Sequence, residues 1–198
     1  MLTVYGRTNS SNSAKVFWLL QELGQDYRLV PTGRGFAATN TPEFLALNPF
    51  GKVPVVQDGE MVVWESNAVL RHLASRFPTP LWPAEPGLRS RVDGWMDWAS
   101  LSLTPPLTRL RKARAAGKTE DTDLPAVIAA FAALDRWLAG HSFIAGDRLS
   151  LADITAAPAV YRFFLLQEAG TGFANLARYA GLLAEYGGYR HFVRDALS

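Results

Sequence analysis

Three short stretches of this chain combine residue types that can act on a small polar ligand. The first is Thr8-Asn9-Ser10-Ser11-Asn12-Ser13, a polar run leaving the first predicted strand. The second is Gly51-Lys52-Val53-Pro54-Val55-Val56, where a proline interrupts a valine-rich strand. The third is Glu65-Ser66, at a strand-to-helix junction.

Each stretch has a definite chemistry. Proline donates no ladder hydrogen bond, so a strand broken at Pro54 leaves the main chain of Val53 open to an extended peptide. Ser66 near a helix N-terminus offers a hydroxyl, free N–H groups and the positive end of the dipole, which together suit a carboxylate. Glu65 beside it supplies the charge for an ammonium. Side by side they match the head group of an α-amino acid. Taken alone, Ser66 serves equally as an N-cap and Glu65 as a solvated charge. The serine cluster caps the following helix, or else aims a hydroxyl at a thiol held near that helix N-terminus. A free thiol has a pKa of about 8.5, and lowering it by about two units is worth roughly 2.7 kcal/mol. A hydrogen bond plus the helix dipole can supply that. A γ-glutamyl head at Glu65-Ser66, a peptide backbone on Val53 and a thiol at Ser10 describe one ligand, glutathione.

The elements that must position these groups are legible from periodicity and punctuation. Leu2 to Tyr5 reads as a strand, and Val16, Leu19, Leu20 and Leu23 form one helical face closed by Gly24. Tyr27 to Val30 is a second strand, and Thr41-Pro42-Glu43 opens a short helix that ends before Asn48-Pro49. Val53 to Val56 and Met61 to Trp64 flank the hairpin signal Asp58-Gly59. Ser66 starts a helix carrying Val69, Leu70, Leu73 and Phe77, stopped by Pro78. The order is βαβαββα, a mixed sheet with helices on its faces.

After residue 78 the texture changes. Residues 79–87 read as a Pro- and Gly-containing linker, and residues 88–198 as an all-helical domain. Val92, Trp95, Met96, Ala99 and Leu103 share a helical face, and Pro105-Pro106 is expected to kink or break that helix. Further helices are expected from about Leu124 to Leu138, from Ser150 to about Gln167, and beyond Phe173.

Composition removes other chemistries. The 198 residues include no cysteine and three histidines, which argues against disulfides, a cysteine nucleophile and a metal site. His72, His141 and His191 have no motif partners and read as structural or surface residues. A formal net charge of +2, with charges spread along the chain, gives no reason to expect nucleic acid or a membrane surface as partner. The N-terminus lacks a signal-peptide pattern, and no apolar run reaches the roughly 20 residues of a bilayer span. A soluble cytoplasmic protein is the expectation.

Tyr5-Gly6 with Ser10 to Val16, the run TPEFLALNPFGKVPVVQDG (Thr41 to Gly59), WESNAVLRHLA (Trp64 to Ala74) and Ser150-Leu151-Ala152-Asp153 together resemble the glutathione S-transferases. The similarity is to bacterial members near the theta, zeta and nu-like classes. It implies a thioredoxin-like N-terminal domain (residues 1–78), a cis bond before Pro54, and an all-α C-terminal domain. It also implies glutathione as co-substrate, no tightly bound cofactor and no metal. Val53 and Pro54 would meet the cysteinyl backbone, and Glu65 and Ser66 the γ-glutamyl group. Lys52 and Arg34 would face the glycine carboxylate. Ser10 and Asn12 compete for the thiol, with Tyr5 behind them. Trp95, Trp98 and Ser102 are candidates for an apolar wall against a small hydrophobic electrophile. Ser150 and Asp153 match the family's structural capping box. A homodimer is implied, the α/β domain of one subunit facing the helical domain of the other. Alternative activities are glutathione-dependent disulfide reduction or peroxidase chemistry, and a non-catalytic carrier or interaction role on the same scaffold.

Overall fold

The computed structural model describes residues 1–118, 120–166 and 172–197. Two units emerge, one comprising residues 1–82 with the chain from Gly187 onward, the other residues 83–186.

The first unit is built on β1 (Leu2–Gly6), β2 (Tyr27–Pro31), β3 (Val55–Asp58) and β4 (Met61–Trp64), in the spatial order β2-β1-β3-β4. β1 and β2 run parallel, while β3 is antiparallel to both β1 and β4. Val4 pairs with Leu29 on one side and Val56 on the other, and both Val4 and Val56 are fully buried. Helix α1 (Ser11–Glu22) buries Val16, Phe17, Trp18, Leu19 and Leu20, and it packs against α3 (Ser66–Arg76), which buries Val69, Leu70 and Leu73. The short α2 (Pro42–Leu47) starts on Thr41, whose hydroxyl accepts from the Phe44 N–H. Gly6 marks a close approach: a Cβ there would lie 2.9 Å from Ser13 Oγ, so a larger residue would have to displace side chains at the start of α1.

The second unit is helical: α4 (Pro86–Trp98), a π-helical turn (Ala99–Leu103), α5 (Thr104–Ala115), α6 (Leu124–Leu138), α7 (Leu151–Phe164) and α8 (Ala174–Leu183). At the head of α7, Ser150 and Asp153 form a reciprocal capping box. Among the described residues no helix is long and apolar enough to cross a membrane.

Several expectations change. Pro105 and Pro106 do not break a helix; they lie in the first turn of α5, where a missing N–H costs nothing. Pro86 and Gly87 belong to α4, because the Glu85 carboxylate caps their turn by accepting from the N–H groups of Gly87 and Leu88. The chain from Gly187 onward, expected in the helical domain, belongs to the first unit. There Tyr189 lies edge-on to Trp18 at 5.7 Å and Phe192 lies 5.7 Å from Phe17. A single helical turn (Gly187–Tyr189) and a π-helical turn (Arg190–Arg194) carry these rings onto α1. The third strand begins at Val55, not Val53. Helix α7 ends at Phe164, and Gln167, its expected end, lies outside the described residues.

Candidate functional site

The sheet topology brings the sequence-predicted groups to one end of the first unit. β1, β2 and β4 end there and β3 begins there, so residues 7–13, 32–34, 52–54 and 65–66 all lie at that end.

Ser10 is the N-cap of α1, with extended dihedrals and a largely buried side chain. Its Oγ accepts from the Ser13 N–H at 3.4 Å, and its own N–H donates to the Arg7 carbonyl at 3.2 Å. The cap bond uses the oxygen as acceptor, so the hydroxyl hydrogen is left to donate to a ligand. Asn12 stands in the first turn of the same helix with its side chain exposed. Capping and thiol contact are therefore compatible readings of Ser10, and burial separates it from Asn12. Tyr5 is differently placed. Its hydroxyl donates to Gln57 Oε1 at 3.4 Å across the sheet, and its ring lies edge-on to Phe44.

Val53 precedes a cis bond to Pro54 and lies outside the β1–β3 ladder, which begins with Tyr5 opposite Val55. Among the described residues nothing pairs with the main-chain N–H or C=O of Val53. The loop presenting it is organised by buried Asn48, whose side chain donates to the Lys52 carbonyl at 2.8 Å and accepts from the Phe50 N–H at 3.1 Å. In the sequence, Asn48 reads only as the end of a helix. Its burial amid polar loop partners becomes visible once the fold is formed. Lys52 and Arg34 are both exposed.

Glu65 occupies a position that L-residues rarely adopt, φ 65° and ψ 120°. It is the N-cap of α3, yet its side chain makes no capping bond, and Ser66 is the buried first residue of the helix. The alternative in which Ser66 merely caps α3 is thus not the arrangement found. The start of α3 has no side-chain cap and a serine hydroxyl beside it, as a carboxylate seat requires.

Lys15, which the sequence gives no reason to single out, is 2% exposed. Burial pushes its ammonium pKa down to about 8, against the attraction of Glu65, which raises it. Only the packing of α1 in the folded unit could reveal it.

In the second unit, Trp95 and Trp98 meet edge-on at 5.3 Å and line an open cleft of about 340 Å³ with Gly94, Ala133 and Leu134. Ser102 is exposed on the π-helical turn and does not line that cleft. Asp153 is fully buried and structural. It accepts from the Ile144 N–H, the Ser150 N–H and hydroxyl, and the Tyr179 hydroxyl, all at 2.8–2.9 Å. Its pKa is raised by burial, against the pull of those donors. His72 Nε2 donates to the Asp58 carboxylate at 3.0 Å, and the ring of His141 stacks on Trp137. Both are structural contacts.

Comparison with known proteins gives a consistent result. Residues 1–75 match the family model described as glutathione S-transferase, N-terminal domain, and residues 92–185 match the C-terminal domain of the same family. Over 208 aligned residues the chain is 34% identical to "Glutathione S-transferase GstB" of Escherichia coli strain K12, with both chains fully covered. It is 32% identical to a crystal structure of a theta class glutathione S-transferase from Xanthomonas axonopodis pv. citri with glutathione bound. The TM-score is 0.86, covering 100% of this chain and 99% of that one. A delta-class glutathione transferase of Nilaparvata lugens shares the fold at a TM-score of 0.92 and 22% identity, with 100% of this chain and 95% of that one covered.

Proposed function

The chain belongs to the glutathione S-transferase family, and from that premise we propose that it binds glutathione and activates its thiol, through Ser10, for attack on a small hydrophobic electrophile. One observation carries the reading: an unpaired stretch of main chain at Val53 lies between a buried serine hydroxyl and an uncapped helix start bearing Glu65 and Ser66. The Xanthomonas relative, which was solved with glutathione bound, supports glutathione as the ligand.

The cysteinyl backbone of glutathione pairs with Val53 as an added strand would. The γ-glutamyl carboxylate lies at the start of α3 with the Ser66 hydroxyl, and its ammonium faces Glu65. The thiol then lies against Ser10, whose hydroxyl hydrogen stabilises the thiolate as the proton leaves for solvent. A buried donor acts in a lower dielectric than an exposed one, which favours Ser10 over Asn12. The thiolate forms a C–S bond to the electrophilic carbon as a leaving group departs. The protein's contribution is thiol activation and the holding of two reactants together. The active form is a cytoplasmic homodimer, as in the family's expected assembly.

The test is conjugation of glutathione to an activated aryl chloride, together with the thiolate absorbance of bound glutathione as a function of pH. Hydrogen bonds to charged groups contribute about 1.5–3 kcal/mol, so Ser10→Ala is expected to lower kcat about ten- to a hundredfold and raise the thiol pKa. Asn12→Ala should do neither. Reduction of a model disulfide that survives Ser10→Ala but not Asn12→Ala would replace this reading with disulfide reductase chemistry. Failure to bind glutathione at millimolar concentration would leave a non-catalytic role.

A further inference from the structure

Helix α5 carries a polar stripe that the second unit does not use. Thr104, Thr108 and Arg111 stand at i, i+4 and i+7, hence along one face, beside the apolar edge of buried Leu107 and Leu110. Thr104 Oγ1 is buried, and among the described residues it has no hydrogen-bond partner. A threonine inside an α-helix ordinarily donates its hydroxyl to a carbonyl of the preceding turn. The π-helical turn before α5 widens the helix there and sends the Thr104 N–H to the Ala99 carbonyl, and the hydroxyl is left orphaned. Such turns inserted in α-helices frequently mark functional sites. Further along the stripe Arg111 is partly buried, and among the described residues no hydrogen bond or ion pair engages its guanidinium. Its neighbours differ: Arg109 pairs with Asp123, Arg114 with Asp121, and Lys112 is exposed. Burial lowers the Arg111 pKa, so the fold holds this charge at a cost.

A long side chain on a helix leans toward the helix N-terminus, so Arg111 leans back past Thr108 in the direction of Thr104. A group that satisfies both ends of the stripe must accept from a guanidinium and from a hydroxyl. A carboxylate does so, its planar pair of oxygens taking the fork of the one and the O–H of the other. The residues assigned to glutathione all belong to the first unit, which leaves this stripe to the second reactant. We propose that Arg111, with the hydroxyls of Thr104 and Thr108, seats the carboxylate of an acidic electrophile, so that the protein selects electrophiles that carry a free acid group. This rests on the glutathione reading above. With an acidic aryl chloride, the thiol proton goes to solvent, the C–S bond forms and the C–Cl bond breaks, chloride leaving with its electron pair. The carboxylate forms and breaks no bond. It is a handle whose binding energy holds the reacting carbon in place.

The experiment compares 4-chloro-3-nitrobenzoate with 4-chloro-3-nitrobenzamide, which differ in charge and little in shape. For each, kcat/KM with glutathione is divided by the uncatalysed rate of the same compound. The wild type should prefer the benzoate by about tenfold or more. Arg111→Gln should bring the ratio close to one, and Arg111→Lys should restore part of it. Thr104→Val exchanges the hydroxyl for a methyl of the same shape. It should lower the ratio by a smaller factor and raise the urea midpoint of the unliganded protein, because a buried orphan is removed. Each ratio is taken within one variant, so partial unfolding cancels. An Arg111→Gln protein that keeps the wild-type ratio while raising KM for glutathione overturns the assignment and places Arg111 at the tripeptide. A Thr104→Val protein less stable than the wild type removes Thr104 from the seat. Calorimetry with 3-nitrobenzoate and 3-nitrobenzamide, without glutathione, reads the seat by itself. A benzoate preference lost in Arg111→Gln supports it even in a protein that conjugates neither aryl chloride, a result that would overturn the glutathione reading alone. A wild type that binds and turns over acid and amide equally overturns this inference and leaves that reading standing.

Discussion

The buried ammonium of Lys15 on α1 is attracted by the carboxylate of Glu65 at the start of α3. The attraction does not offset burial, and the pKa falls from 10.5 to about 8. A lysine whose folded pKa is depressed costs stability wherever the folded protein carries the charge.

The pH dependence follows from proton counting. Below about pH 8 both states hold the proton, so the cost is constant and fully present. Between about pH 8 and 10.5 the unfolded chain binds a proton that the folded chain has lost, and stability rises with pH. The shift corresponds to about 3 kcal/mol. Lys15→Met should therefore be more stable than the wild type at pH 7, with the gap closing by about that amount near pH 10.5. Urea unfolding of both proteins across this range reads the gap, and a gap that stays constant with pH rules out a buried charge at residue 15.

Asp153 ties α7 to the loop before it and to α8. Asp153→Ala leaves the N–H groups of Ile144 and Ser150 and the Ser150 hydroxyl without their acceptor inside the core. At about 1–3 kcal/mol for each stranded donor, the variant should lose at least about 3 kcal/mol. Tyr179→Phe removes the hydroxyl's bond to Asp153 and should lose about 1 kcal/mol. Urea midpoints give both values, and glutathione affinity of the folded fraction should not change.

Two glycine substitutions should act in opposite directions. A Cβ at Gly188 would lie 2.1 Å from Trp18 Cδ1, and that ring is fully buried, with its Nε1 donating to Glu22. Gly188→Ala must push the C-terminal turn off α1, at a cost of about 1–3 kcal/mol. Trypsin should then cut faster at Arg190 and Arg194. Gly181 lies inside α8 with open space around its missing Cβ. Gly181→Ala should stabilise by about 0.5–1 kcal/mol. If both variants melted alike, the packing of Gly188 on Trp18 would be wrong.

How much of this the sequence disclosed depended on whether the determining force was local. Gly24, Asp58-Gly59, Thr41-Pro42 and Ser150-x-x-Asp153 act on their immediate neighbours, and, the bounds of β3 apart, the elements they punctuate start or stop where these signals put them. Val53 and Glu65-Ser66 were legible for a related reason: a proline in a strand and an acid before a helix are local anomalies. What was hidden is tertiary. Lys15 falls on an ordinary helical position and is buried only once α1 is packed in the folded unit. Phe192 and Tyr189 look like any helical aromatics until the chain returns to α1. The cap of α3 fell on Glu65 and not Ser66 through a backbone angle no propensity favours.

That angle makes Glu65 a place where strain and binding can be measured apart. Glu65→Ala and Glu65→Gly both remove the carboxylate expected to hold the γ-glutamyl ammonium, so each should raise KM for glutathione about tenfold or more, with a smaller effect on kcat. The two differ in backbone. At φ 65° a Cβ is strained, and only glycine adopts the conformation freely. Although glycine ordinarily weakens a helix start relative to alanine, Glu65→Gly should here be the more stable variant, by about 1 kcal/mol. Urea unfolding and steady-state kinetics on the same two preparations decide both points. Equal KM values for wild type and variants would remove Glu65 from the ligand site. An alanine variant as stable as the glycine one would mean that residue 65 is unstrained in solution, and that nothing but packing sets the start of α3.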